Sequence, residues 1–196
     1  MKWYKYDIRN LSDEEYEKWY SLMGEDKQKR VDRFRFSEDK KRTIAGEMLA
    51  RIGISEWCGK APEDIVFLAH KKGKPYASGL KVEFNVSHSE NMVVCAISDK
   101  PIGIDVEKLR PVDLKIAKRI CTEEELEYLF GHPAEEGDFK VTNDPLLILR
   151  FFKLWTAKEA YGKLLGTGLA VMNLPAKTDA ISDIIDDEYF VSIICE

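Results

Sequence analysis

Two acidic residues, Asp105 and Glu107, stand two positions apart in the segment Ile102-Gly-Ile-Asp-Val-Glu107, which has the composition of a strand. Side chains at this spacing leave the same face of a strand about 6–7 Å apart. At an effective dielectric near 20, two negative charges at that distance repel by roughly 2–3 kcal/mol. A divalent cation or a neighbouring lysine would reverse this cost. The pair is therefore either a solvated strand face or a cation site, and Gly103 leaves room for a ligand to approach.

A third carboxylate, Glu159, lies in the helical segment Phe151 to Lys163. Lys163 follows it at i+4, the favourable order for an ordinary surface ion pair. Trp155 lies one turn before it, which places the carboxylate at the border of an apolar stripe, where an unpaired charge is costly. Glu159 is thus either a surface partner of Lys163 or a partly buried carboxylate that needs a cation.

The triplet Ser87-His88-Ser89 interrupts a strand predicted over Val82–Val86. A serine nucleophile would need a positioned base, and the sequence has neither a G-x-S-x-G elbow nor a base that can be placed beside either serine. As hydrogen-bond donors at a strand end, the triplet could hold a phosphate, and a capped loop is the alternative.

Several cations precede this triplet without forming a local cluster in the sequence. Taken singly, each is an ordinary surface charge. If several converge on one ligand, that ligand is a polyanion. These residues are Lys27, Arg30, Arg42 and Lys74.

The elements that must position these residues are helices and short strands. Capping-box spacing at Ser12 and at Thr122 predicts two helix starts. Apolar residues at helical spacing predict further helices, and alternation of apolar and polar residues predicts strands. The first three of these strands are expected to form a meander. The longer helices are expected at about Glu38–Trp57 and Leu146–Leu165, and the strands at Val82–Val86, Met92–Ile97, Ile102–Val106 and Tyr189–Cys195.

This order of elements predicts an α+β fold rather than a doubly wound parallel sheet. The last strand loosely echoes Met92–Ile97, which suggests an internal duplication. We expect two similar halves related by a pseudo-twofold axis, each an antiparallel sheet packed with helices. The halves are 1–101 and 102–196, with the active site in the cleft between them.

Composition excludes several classes of protein. A chain of 196 residues with a net charge of −5 does not coat nucleic acid, and no apolar stretch approaches the ~20 residues needed to cross a bilayer. The first residues lack a signal-peptide core, so we expect a cytoplasmic protein. The four cysteines are widely spaced and are interpreted as buried thiols rather than as zinc ligands or disulfides.

Three blocks, taken in order, resemble the 4′-phosphopantetheinyl transferases, specifically the surfactin-synthetase-activating type. They are Phe84-Asn-Val-Ser-His-Ser89, Ile102-Gly-Ile-Asp-Val-Glu107 and Trp155-Thr-Ala-Lys-Glu-Ala-Tyr-Gly-Lys163. The family signature is a G-[IV]-D-x-E strand followed about fifty residues later by W-[ST]-x-K-E-x-x-x-K, and here Glu159 lies 52 positions after Glu107. The resemblance spans roughly residues 5 to 170.

The resemblance implies transfer of the 4′-phosphopantetheine arm of coenzyme A to a serine of an acyl or peptidyl carrier protein, with release of adenosine 3′,5′-bisphosphate. It implies that Mg²⁺ is held by Asp105, Glu107 and Glu159, and that either Glu159 or a metal-bound water takes the serine proton. Lys158 and Lys163 would face the pyrophosphate. The nucleotide and its phosphates would be held by Lys27, Arg42, Lys74, Ser87 and His88.

One departure from the family pattern is Arg30, which stands where the family often has a phosphate-binding lysine. The charge is kept and the geometry of the contact changes. The two-lobed length favours a monomer, because each half can supply the interface that shorter relatives form between subunits. A non-catalytic module that binds coenzyme A or phosphate is the alternative function.

Overall fold

The computed structural model of the chain describes residues 1–70, 73–177 and 179–196. The chain divides into two compact units. Unit 1 comprises Met1–Ile102 together with Cys195–Glu196, and unit 2 comprises Gly103–Ile194.

The described residues of unit 1 form three α-helices and five strands. Ser12 caps the first helix through a reciprocal capping box with Glu15, as the sequence predicts. The elements are β1 (Lys2–Asp7), α1 (Asp13–Ser21), α2 (Glu25–Asp32), α3 (Ser37–Cys58), β2 (Phe67–Ala69), β3 (Pro75–Ala77), β4 (Glu83–Ser89) and β5 (Met92–Ser98).

The main sheet of unit 1 is antiparallel, with β5 in the centre and β1 and β4 on either side. Cys95 of β5 lies opposite Tyr4 of β1 and Val86 of β4. Every residue of β5 is buried, which fits a central strand covered by helix α3. Helix and sheet approach closely at Gly53, where a Cβ would lie 2.8 Å from the side chain of Ile97.

Unit 2 begins with a strand and ends with a hairpin. Thr122 and Glu125 form the second predicted capping box at the start of one of its helices. The elements are β6 (Ile102–Lys108), β7 (Val112–Asp113), α4 (Ala117–Ile120), α5 (Glu123–Phe130), β8 (Val141–Thr142), α6 (Pro145–Leu165), β9 (Ile181–Ile185) and β10 (Tyr189–Cys195).

Helix α6 is the longest element of unit 2. Asp144 caps its start by accepting hydrogen bonds from the backbone N–H groups of Leu146 and Leu147. Gly166 ends it in the left-handed conformation, at φ 64°. One face of the helix packs into a core with α4 and α5 residues such as Ile120 and Leu129.

The α+β fold with antiparallel sheets is confirmed. The predicted meander is wrong, because β6 pairs with β10 in a second sheet of order β6-β10-β9. Alternation of apolar and polar residues identifies a strand but not its partner, and β10 offers a buried strand far along the chain.

The triplet at residues 87–89 does not interrupt its strand. Ser87, His88 and Ser89 complete β4 and lie opposite Val94, Val93 and Met92 of β5. The turn comes only at Glu90, whose φ is 50°. Pairing with the fully buried β5 supplies backbone hydrogen bonds that override the weak strand preference of serine and histidine.

Two further expectations concern thiols and membranes. The interpretation of all four cysteines as buried is wrong for Cys58, which is exposed at the last turn of α3, whereas Cys95 is buried and Cys121 and Cys195 are partly exposed. Within the three described ranges, no helix combines the length and apolar composition needed to cross a membrane.

Candidate active site

Three carboxylates of unit 2, those of Asp105, Glu107 and Glu159, lie where α6 packs against β6. We call them the acidic triad. Gly103 makes this approach possible, since a Cβ there would lie 1.9 Å from the carbonyl oxygen of Ala160. The close packing brings the α6 turn carrying Glu159 and Lys163 to the strand that carries Asp105. Asp105 is 5% exposed, and the Lys163 ammonium donates a hydrogen bond to its Oδ1 at 2.6 Å.

The pKa of Glu159 depends on the other two carboxylates. Burial raises the pKa of Glu159, the negative charges of Asp105 and Glu107 raise it further, and the Lys163 ammonium opposes this rise. Glu107 is also held by Arg110, whose guanidinium lies 3.1 Å from its carboxylate. Unit 2 therefore concentrates negative charge where a strand and a helix meet, and Lys163 and Arg110 offset part of it.

The chemistry of these donors fits a hard divalent cation, since carboxylate oxygens are the ligands that Mg²⁺ prefers. The raised pKa of Glu159 is in keeping with this, because burial and the charges of Asp105 and Glu107 disfavour its anion and a bound cation would favour it. In the part of the chain that the structure describes, however, no group of three or more His, Cys, Asp or Glu side chains is close enough together to hold a metal ion. Magnesium binding by the acidic triad therefore stays a prediction.

Lys158 does not face solvent, contrary to the expectation that it contacts a pyrophosphate. Its side chain is 1% exposed and lies 2.7 Å from the Glu125 carboxylate. Its ammonium donates to three carbonyl oxygens, at 2.6 Å for Ile120, 3.0 Å for Met172 and 2.6 Å for Leu174. Four acceptors therefore surround an ammonium with three N–H groups, and its contact with a pyrophosphate stays a prediction from the resemblance.

Unit 1 contains a pocket of about 280 Å³ that gathers most of the predicted nucleotide-binding residues. We call it the basic pocket. Lys27 and Arg30 reach it from α2, Arg42 from α3, and His88 from β4. Its lining consists of Lys27, Arg30, Arg42, Thr43, Gly46, Glu47, Ala50, Phe67, Pro75, Phe84, Val86 and His88.

Two of these cations are fixed by neighbours. Lys27 forms an ion pair with Glu47, whose side chain is 2% exposed. Arg42 pairs with Asp39 and also donates to the carbonyl oxygen of Glu90 at 2.8 Å. Side chains held in this way lose less conformational entropy when a ligand binds.

The structure does not bring every predicted residue to this pocket. The residues that line it do not include Lys74 or Ser87. The Lys74 ammonium lies 3.4 Å from the carbonyl oxygen of Ile102 and 4.0 Å from the Glu83 carboxylate. Burial lowers the pKa of Lys74, and Glu83 opposes this. Ser87 is buried beside exposed His88.

Sequence reasoning missed the buried pair that supports this pocket. Arg51 is 3% exposed and donates through Nε to Glu47 at 2.8 Å. The guanidinium also donates to the carbonyl oxygens of Leu22, Pro62 and Ile65. The i, i+4 spacing of Glu47 and Arg51 within the otherwise apolar stretch Ile44–Ile54 of α3 was the available signal, because two buried charges there must be paired.

The chain is therefore an α+β protein with a basic pocket in unit 1 and three carboxylates near the contact of β6 and α6 in unit 2. Residues 101–194 match the family model of the 4′-phosphopantetheinyl transferase superfamily. Residues 10–100 match the model described as 4′-phosphopantetheinyl transferase, N-terminal.

Curated relatives agree with the family models. A 4′-phosphopantetheinyl transferase of Bacillus subtilis is 36% identical over 190 residues, covering 96% of this chain and 78% of the relative. The transferase Sfp of Bacillus subtilis strain 168 is 36% identical over 168 residues, covering 85% and 70%. The transferase HetI of a Nostoc species is 36% identical over 157 residues, covering 76% and 62%. The chain therefore belongs to the 4′-phosphopantetheinyl transferase family, and its predicted class of enzyme is confirmed.

Proposed function

We propose that this chain transfers the 4′-phosphopantetheine moiety of coenzyme A to a serine of an apo acyl or peptidyl carrier protein in a magnesium-dependent reaction. Adenosine 3′,5′-bisphosphate is the second product. The observation that carries the proposal is the convergence of Lys27, Arg30, Arg42 and His88 on one pocket of about 280 Å³.

The basic pocket suits the phosphates of the nucleotide. Arg and Lys side chains make strong charge-assisted hydrogen bonds to phosphate oxygens, and arginine can do so through two parallel N–H groups. Arg42, oriented by Asp39 and the Glu90 carbonyl, is assigned to the 3′-phosphate of coenzyme A together with Lys27. Arg30, exposed on α2, supplies a further positive charge at the same pocket.

The reaction exchanges one phosphorus–oxygen bond for another. The serine oxygen attacks the phosphorus that bears the pantetheine arm, and the bond from that phosphorus to the bridging oxygen breaks. The nucleotide leaves with the bridging oxygen, and the serine proton must pass to a base. Either Glu159, on the α6 turn that approaches Asp105, or a water bound to the metal would take that proton.

Negative charge grows on the leaving phosphate during the transfer, and cations must balance it. We assign this role to Lys163, whose ammonium is held beside this site by its hydrogen bond to Asp105. Asp105, Glu107 and Glu159 would hold the magnesium ion. When bound, the ion supplies positive charge to the pyrophosphate oxygens and lowers the energy of the charged transition state.

Mass spectrometry of an apo carrier protein tests the proposal directly. Incubation with the chain, coenzyme A and magnesium should add about 340 Da to the carrier, the mass of the transferred arm. A carrier whose acceptor serine is replaced by alanine should gain nothing, and neither should a reaction with chelated magnesium. Tight coenzyme A binding without an adduct on several carriers would favour the non-catalytic binding module instead.

We also propose that the chain acts as a monomer. Support comes from its two compact units, each with its own antiparallel sheet and helices, so one chain contains both. Sedimentation analysis should give the mass of one chain, and a stable trimer would contradict this. The cytoplasmic location stays a prediction from the sequence.

A further inference from the structure

Helix α6 presents two different polar sides within unit 2. Glu159 and Lys163, four residues apart, lie one turn from each other on the side that approaches Asp105. Lys158 precedes Glu159 by one residue and is therefore rotated from it by about 100° around the helix axis. Gly162, one turn after Lys158, shares that second side.

The second side of α6 packs tightly against the backbone that follows the helix. A Cβ on Gly162 would lie 2.3 Å from the carbonyl oxygen of Gly168. The backbone N–H of Thr167 donates to the Gly162 carbonyl at 3.0 Å. The Lys158 ammonium adds hydrogen bonds to the carbonyl oxygens of Met172 and Leu174, so this side of the helix is tied to segment 167–176.

Glu125 completes this arrangement. Glu125 is 8% exposed, and one of its carboxylate oxygens lies 2.7 Å from the Lys158 ammonium. The same oxygen accepts from the backbone N–H of Thr122, and the other accepts from that of Ala176 at 2.6 Å. The ammonium also reaches the Ile120 carbonyl at the end of α4. One buried ion pair thus joins α4, α5, α6 and segment 167–176.

We propose that Lys158 is a positioning residue for the transfer reaction. Its buried ammonium, held by Glu125 and three backbone carbonyls, fixes the rotation of α6 and so the placement of Glu159 and Lys163 relative to Asp105. This inference rests on the proposed function. It assigns Lys158 no contact with coenzyme A, in contrast to what its place in the sequence motif suggests.

The physical reason is the cost of misplacement. A buried ion pair contributes little net stability, yet removing one partner leaves a buried charge without compensation. The carbonyls and Glu125 would then move to find other donors, and α6 would lose its contact with segment 167–176. Shifts of about 1 Å in a catalytic group can lower a rate by about 10²-fold.

Amine labelling of the native wild-type protein tests the buried contacts without any variant. An acylating reagent should leave Lys158 unmodified both with and without coenzyme A, while exposed Lys153 on the same helix reacts in both cases. Modification of Lys158 in the free protein together with protection by coenzyme A would overturn the inference, since it would place the ammonium at the ligand.

Two variants test the positioning role. Lys158→Met should lower the thermal midpoint by roughly 10 °C, because it leaves Glu125 uncompensated. Adding Glu125→Gln removes that charge, so the double variant should regain most of the midpoint. Its kcat should still be at least about tenfold below wild type, and its KM and calorimetric Kd for coenzyme A should stay within about twofold. Lys153→Met is the matched control and should resemble wild type in every readout.

Each other outcome contradicts the inference. A Kd for coenzyme A weakened about tenfold or more in the double variant would make Lys158 a ligand-binding residue. Recovery of kcat together with the thermal midpoint would reduce the pair to a structural role. If Lys158→Met alone does not fold, the double variant and the labelling carry the test. A wild type that forms no carrier adduct contradicts the proposed function itself, which these outcomes do not.

Discussion

The ammonium of Lys163 on α6 lies 2.6 Å from Oδ1 of Asp105 on β6. The Asp105 side chain is 6% exposed and that of Lys163 is 26% exposed. This ion pair links the helix that carries Glu159 to the strand that carries Glu107. It also shows that positive charge stabilises Asp105 at this position.

Replacing Lys163 tests whether buried Asp105 needs a neighbouring positive charge. Lys163→Met leaves Asp105 buried without its ammonium, which should destabilise the magnesium-free protein by about 1–3 kcal/mol, less than for a fully buried pair because Lys163 is partly solvated. Saturating magnesium should recover part of this loss, since a cation at Asp105 replaces the missing charge. Urea unfolding with and without magnesium measures both. An equal loss in the two conditions would contradict a cation site at Asp105.

Glu159 gives a prediction for pH. Because the pKa of Glu159 is raised in the folded protein, the native state binds this proton more tightly than the unfolded chain does. Stability from this group is complete below its ordinary pKa of 4.5 and is lost as pH rises through the higher native pKa. Glu159→Gln should therefore be more stable than wild type at neutral pH without magnesium. The difference should shrink as the pH falls through the raised native pKa towards 4.5, and it should change little below that.

Chemical unfolding of both proteins from pH 4 to 8 in a chelating buffer measures this difference. A constant difference across the range would show that burial and the acidic neighbours do not act on Glu159 as the structure indicates.

The basic pocket is tested by Arg42→Ala. Loss of a guanidinium that binds the ground state should raise the KM for coenzyme A about tenfold and change kcat less. The variant should also lose much of the preference for coenzyme A over its 3′-dephospho form. Lys29→Ala is the matched control, because Lys29 is exposed on α2 and forms an i, i+4 pair with Glu25. An unchanged preference in Arg42→Ala would remove Arg42 from the site.

A substitution at Gly103 tests the contact between β6 and α6 that brings the residues of the acidic triad together. Gly103→Ala would place a methyl group 1.9 Å from the Ala160 carbonyl oxygen, so helix and strand must separate. We expect a loss of at least about 3 kcal/mol, because the clash is with backbone rather than with a flexible side chain. Gly137→Ala is the control, since nothing lies within 4 Å of a Cβ there. Thermal unfolding should separate the two variants, and equal midpoints would contradict the close packing.

The helix starts after Ser12 and Thr122 and the extents of α3 and α6 could be predicted from the sequence because they depend on local chemistry, whereas α2 was not predicted. Ser12 and Thr122 show both capping boxes in four residues each, and the ends of α3 and α6 follow from apolar periodicity. Strand pairing depends on distant residues, so the separation of β6 from β5 was not visible locally.

The candidate site was predicted unevenly for a similar reason. Residue types and spacing indicated the acidic motif and the cations, but burial decides which face of a helix a side chain occupies. Lys158 and Glu159 are neighbours in one motif. The Lys158 ammonium is buried among backbone carbonyl oxygens, whereas Glu159 lies near Asp105. A sequence motif does not show on which side of α6 each residue packs, and the helix carries apolar residues on most of its sides.

Magnesium binding to wild type and to Asp105→Ala tests the central claim, that the acidic triad of unit 2 holds the ion required for transfer. Calorimetric titration should show magnesium binding to wild type in the presence of coenzyme A and at least about tenfold weaker binding to the variant, with carrier modification reduced in parallel. The fold should remain, since the substitution removes a buried charge. Equal magnesium affinity and similar transfer rates in the two proteins would place the metal site elsewhere and contradict the account.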